Sequence, residues 1–168
     1  IEMERNQQLN IPLDQLLTHV ENYAKTTLNL VDDFISLAQL EAMDICLEPL
    51  LLNDVLMEVC DEAWVRAQAK HITVTLLEPE ELIWVDAAAS LLKRAIANLI
   101  DNAIKYSAEN TEITCLVETN PTLNNVTIKL IDTGWGIPEK ALATIFHVFT
   151  RAHAGQENTP TGSGLGLA

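Results

Sequence analysis

A chain of 168 residues with 48% apolar side chains has material for one ordinary core, which excludes wholesale disorder. Its formal net charge of −14 excludes non-specific binding to nucleic acid or to an anionic membrane surface, since both need a basic face. It leaves room for a small phosphate ligand held by backbone N–H groups, a few cations and a metal.

From Leu13 to about Met43 the apolar positions follow a heptad: Leu13, Leu17, Val20, Ala24, Thr27, Val31, Phe34 and Ala38, widened by Leu16, Tyr23, Leu30 and Leu37. Pro12 suits the first turn. The spacing predicts a long helix whose apolar stripe must be covered, because each buried Leu contributes roughly 1.5–3 kcal/mol. A helical bundle formed with a second copy, or with a helix outside this chain, is the expected cover. The stretch 46–52, with its Glu-Pro step, reads as a break. Asn53 then offers an N-cap for a helix to about Ala69. Segments 72–77 and 81–86 read as strands, and Asp86 as the cap of a helix over 87–106. Segments 111–118 and 125–132 alternate and carry β-branched residues, with a hairpin between them. A short helix is expected from Pro138 to about Phe149, followed by a polar, breaker-rich loop. This mixture predicts an α+β fold, an α/β sandwich rather than a doubly wound parallel sheet.

The cysteines at 46, 60 and 115 form no C-x-x-C pair and read as reduced thiols of a cytoplasmic protein. No apolar run reaches the ~18 residues of a membrane span, and no signal peptide opens the chain. The first residues, IEMERNQQ, and the last, GSGLGLA, read as cuts through a longer protein.

Four clusters carry chemistry. In NLIDNAIKYS, Asn98 and Asn102 are four apart on one helix face, with Lys105 close by. Amides amid apolar neighbours need partners, and a metal ion with phosphates would supply them. In IDTGWGIPEK, Asp132 ends a strand and Gly134 and Gly136 let backbone approach a flat ring, while Trp135 either faces a ligand or covers the core. In IFHVFTR, Phe146 and Phe149 anchor a hinge and Arg151 can reach a phosphate. In TGSGLGLA, Gly162, Gly164 and Gly166 lead into a helix start, a setting that suits phosphate. Each cluster alone is also compatible with capping amides, a plain turn or core aromatics.

Their order and spacing, N-x-x-x-N-A-x-K-Y, D-x-G-x-G-I, F-x-x-F-x-R and G-x-G-x-G-L, resemble the catalytic ATP-binding domain of sensor histidine kinases, within the wider family of Hsp90, gyrase B and MutL. The resemblance runs from about Leu47 to Ala168. Upstream, LVDDFISLAQLEA is similar to the end of the second dimerisation helix, and the junction resembles that of kinases with a CHASE2 sensor region. The resemblance implies a Bergerat-type ATP-binding fold over 46–168, preceded over 1–45 by part of a dimeric helical bundle. It implies ATP and Mg²⁺ as cofactors, with Asn102 as the metal ligand. Asn98 would stand beside the phosphates, Lys105 would reach a phosphate, Tyr106 would pack near adenine or ribose, and Asp132 would bind the adenine amino group. Gly134, Gly136, Gly162, Gly164 and Gly166 would shape the pocket and lid, and Ile137, Phe149, Arg151 and Leu165 would join them in binding the cofactor. It further implies a homodimer through the N-terminal helix, a response regulator receiver domain as partner, no nucleic acid, and the cytoplasmic portion of an inner-membrane sensor.

In the ATPase branches a Glu four residues before the metal-binding Asn activates water. Asn98 stands there, and an amide has no useful basicity. The expected activity is therefore phosphoryl transfer to a histidine. A nucleotide-binding and dimerisation module without catalysis is the alternative, and an ATPase the weaker one. None of His19, His71, His147 and His153 lies in an H-[ED]-L-R-x-P-like box, so the phosphoacceptor is expected outside this chain, and no catalytic residue within it.

Overall fold

In the computed structural model, residues 12–42, 45–77, 79–148, 150, 152, 164 and 167 are described. Helix α1 (Leu13–Ala42) opens at Pro12, whose carbonyl accepts from the amides of Gln15 and Leu16 at 2.9 and 3.1 Å. Leu13, Leu17, Val20, Val31 and Phe34 are all exposed, so the heptad face has no cover among the described residues. No helix among the described residues is long and apolar enough to cross a membrane.

The other described residues form two small sheets and a helical layer. Strand β1 (Glu48–Leu51) stands where the sequence suggests only a break, and it pairs antiparallel with β3 (Trp84–Ala87). Pro49 is tolerated because this sheet has two strands, and β1 needs partners on one side only. Strand β2 (Thr73–Leu77) pairs parallel with β4 (Glu112–Asn120), which pairs antiparallel with β5 (Asn125–Ile131). The β4–β5 connection is the expected hairpin: Asn120 Oδ1 accepts from the Leu123 amide at 3.1 Å, and Asn124 takes a left-handed φ of 48°.

Helices α2 (Leu52–Gln68) and α3 (Ala89–Tyr106) pack on each other and on the three-stranded sheet. Strand alternation sends Val74, Leu76, Ile113, Cys115, Val117, Ile128 and Leu130 toward them, against Leu56, Val59, Ala63, Ile96, Ile100 and Ile104. The opposite face carries Thr73, Glu112, Glu118, Thr127 and Lys129, all exposed. This is the two-layer α/β sandwich that the sequence predicts. Arg66 joins Asp101 at 2.8 Å and Lys93 joins Glu58 between the helices, but these pairs are half-exposed and contribute little.

Both expected caps belong to other interactions. Leu51 holds the N-cap position of α2 without a side-chain bond, and Asn53 lies inside the helix. Its side chain clasps the chain before β3: Oδ1 accepts from the Ile83 amide at 3.0 Å, and Nδ2 donates to the Glu81 carbonyl at 3.2 Å. Asp86 sits in β3 opposite Pro49, and α3 starts only at Ala89. The helix after Pro138 is also shorter than expected. Helix α4 (Glu139–Leu142) gives way to turns through Val148, where Thr144, Ile145 and Val148 disfavour continuation.

Cys60 and Cys115 are buried and touch in the core, and Cys46 is exposed. Contact with Cys115 and then burial push the Cys60 thiol far above its ordinary range, so it stays protonated. All three cysteines are free thiols, as the sequence leads one to expect.

Candidate functional site

Helix α3 turns Ile96, Ile100, Ala103 and Ile104 into the core. The 3.6-residue period then leaves Asn98 and Asn102 together on its flank, both half-buried. Neither amide has a hydrogen-bond partner among the described residues. Lys105 Nζ lies 5.2 Å from the Tyr106 ring centroid, a cation–π contact, and Tyr106 meets Trp135 edge to face at 6.2 Å. Trp135 is thus neither core cover nor wholly open, but the neighbour of the last α3 side chain.

The turn after β5 docks on the end of this helix. Asp132 Oδ1 accepts from the Gly134 amide at 2.8 Å, closing an Asx turn. The Trp135 amide then donates to the Tyr106 carbonyl at 3.3 Å. A Cβ on Gly134 would lie 2.7 Å from Asp132 Oδ1 and 3.0 Å from the Tyr106 oxygen, so this glycine permits close approach of turn to helix. Gly136 is required for a different reason: its φ is +69°, although a Cβ there would meet nothing within 4 Å. Ile137 follows, exposed. The structure therefore brings Asn98, Asn102, Lys105, Tyr106, Asp132, Gly134, Gly136 and Ile137 into two touching segments. Gly164 is described only by its backbone, at φ +74°, and Phe149, Arg151, Gly162, Leu165 and Gly166 lie outside the described residues.

One residue that sequence reasoning missed completes this junction. Lys70 Nζ donates to the carbonyls of Ile104, Lys105 and Ser107 at 2.9, 3.0 and 3.3 Å. With Ser107 N bonded to Ala103 O and Trp135 N to Tyr106 O, every carbonyl from Ala103 to Ser107 has a partner. Ser107 Oγ, by contrast, is buried without one.

The donor set fits a metal held mainly by its ligand. No group of three or more His, Cys, Asp or Glu side chains among the described residues could cage a cation. A single amide oxygen beside phosphates suits Mg²⁺, which keeps water and phosphate oxygens for most of its shell.

Residues 87–168 match the family described as histidine kinase-, DNA gyrase B- and HSP90-like ATPase. Residues 87–168 belong to that family. The match begins at β3 and takes in both segments of the site, while the resemblance read from the sequence reaches further upstream, to about Leu47. The adaptive-response sensory kinase SasA of Synechocystis sp. is 34% identical over 119 residues, 71% of this chain and 31% of that protein. Sensor protein CreC of Escherichia coli is 34% identical over 140 residues, 83% of this chain and 28% of that protein. This chain thus spans less than a third of the length of either. Among solved structures, full-length ShkA in complex with AMPPNP aligns with a TM-score of 0.71 at 25% identity, covering 96% of this chain and 33% of that one. The ATP-binding domain of the sensor histidine kinases is what this part of the chain forms.

Proposed function

We propose that this chain supplies the ATP-binding part, over 46–168, of a protein-histidine kinase, with residues 1–45 as part of its dimerisation region. The observation that carries the reading is the docking of the Asp132–Gly136 turn on the end of the helix that presents Asn98 and Asn102. It supports the reading because the helix whose end carries a carboxylate-bearing turn also carries a lysine and two amides without a partner among the described residues.

In this reading Asn102 holds Mg²⁺ through its amide oxygen, Asn98 lies beside the phosphates, and Lys105 pairs with a phosphate. Tyr106 packs near adenine or ribose. The carboxylate of Asp132, already oriented by the Gly134 amide, accepts from the adenine amino group. Phe149 serves the hinge, Arg151 reaches a phosphate, and Gly162, Gly164 and Gly166 serve the lid. Mg²⁺, when bound, neutralises charge on the transferring phosphoryl group. Asn98 cannot serve as a base for water, so the residues bind and orient nucleotide while the nucleophile comes from a histidine outside this chain. The exposed apolar residues of α1 support a homodimer formed through that helix. A response regulator receiver domain as the onward partner, and a cytoplasmic place within a membrane-anchored sensor, complete the proposal.

The test is a titration with Mg-ATP followed by tryptophan fluorescence, since Trp135 stands in the turn. A saturable change in the micromolar to near-millimolar range, about −4 to −8 kcal/mol, lost in Asn102→Ala, supports the site. No heat and no fluorescence change would overturn it. With γ-labelled ATP, acid-labile label should appear on a phosphoacceptor helix supplied in trans and not on this chain alone.

A further inference from the structure

Lys70 lies in the turn after α2, within a stretch, AKHITV, that carries no functional signature of its own. Its ammonium is part-buried over the C-terminal end of α3, and its three N–H donors match the three carbonyls they reach. Its own carbonyl accepts from the Asn110 amide at 3.3 Å, so backbone and side chain both grip the segment that leaves α3. The last carbonyls of a helix carry its negative partial charge and have no partners inside the helix, and a cation there is the natural complement.

The position of this cap matters. The turn it closes contains Lys105 and Tyr106, one turn beyond Asn102. The Tyr106 carbonyl, flanked by the Lys105 and Ser107 carbonyls that Lys70 holds, is the acceptor for Trp135 N. Loosening the cap therefore frees the surface on which the Asp132–Gly136 turn is built. We propose that Lys70 is a positioning residue for nucleotide binding, acting through the last turn of α3 on the turn after β5. The proposal rests on the nucleotide-binding reading above.

The experiment compares the unaltered chain with Lys70→Met, which keeps the apolar stem, and Lys70→Arg, which keeps charge and donors. Mg-ATP affinity is read by calorimetry, and amide hydrogen exchange at Ser107 and Trp135 by NMR, at a temperature where circular dichroism shows all three folded. Lys70→Met is expected to bind at least about tenfold more weakly, about 1.4 kcal/mol. The Ser107 and Trp135 amides should exchange at least about tenfold faster while the β4 core is unchanged, and Lys70→Arg should recover most of both losses. Unaltered affinity in Lys70→Met overturns the proposal. So does a uniform acceleration of exchange through the core, which would make Lys70 a general stabiliser. If Lys70→Met does not fold, Lys70→Gln carries the same comparison with the same outcomes. An unaltered chain that binds no Mg-ATP overturns the nucleotide reading and this role with it, whereas equal binding by both chains overturns the role alone.

Discussion

The amide of Trp135 bonds to the carbonyl of Tyr106 at 3.3 Å, so the turn after β5 is built on the end of α3 rather than beside it. Gly134→Ala tests that relationship. The new methyl would meet the Asp132 carboxylate at 2.7 Å and the Tyr106 backbone oxygen at 3.0 Å, and the backbone cannot swing away as a side chain could. Overpacking of this kind costs about 1–3 kcal/mol, and Mg-ATP affinity should fall with it. Gly136→Ala, which meets no atom but must hold a φ of +69°, should cost about 1 kcal/mol. Thermal denaturation and calorimetry on both variants check the order.

Asn53 should matter more to stability than an exposed cap would. Asn53→Ala strips the partner from the Ile83 amide, whose residue is 8% exposed, and from the Glu81 carbonyl. A buried donor left unmatched costs about 1–3 kcal/mol. A lower urea midpoint with an unchanged slope is the expected result.

That residue also shows where the sequence was legible and where it was not. The first three helices, the β4–β5 hairpin and the Asp132 turn are local patterns of period, alternation and turn chemistry, and the fold bears them out, whereas the helix after Pro138 stops at Leu142. Asn53 and Asp86 have the right chemistry for caps, yet each is claimed by a partner distant in sequence or by a strand, which no local pattern records. The strand β1 is four residues long and contains Pro49, so its only evidence is the pairing with β3. Of the site, the α3 amides and the glycine turn could be read from spacing. Lys70 could not, because its partners lie 34 to 37 residues further on.

His71→Gly should stabilise the protein. His71 closes the α2–β2 turn at a φ of 55°, with its amide bonded to the Gln68 carbonyl at 3.0 Å, and its side chain is exposed. Glycine avoids the left-handed penalty of roughly 1–2 kcal/mol, which exceeds the roughly 0.5–1 kcal/mol cost of its greater unfolded freedom. A rise in melting temperature, with Mg-ATP affinity unchanged, is the expected reading.

The thiols should titrate in two classes. Cys46 is exposed and should react with a chromogenic disulfide reagent at once. Cys60 and Cys115 are 8% and 0% exposed, and the contact with Cys115 and burial suppress ionisation of Cys60, withholding the thiolate that the reaction needs. They should react only as the protein unfolds, so the slow phase should accelerate with urea. A single fast phase of three thiols would contradict the buried contact.

The junction at the end of α3 has a consequence for how the protein is made. Lys70 reaches it across 34 residues and Trp135 approaches it from the far side of a hairpin, so no local stretch of chain builds it by itself. Closing loops of that length costs entropy that only a completed core repays. Junction and fold are therefore acquired together, and a chain that stops short of the β5 turn lacks the junction.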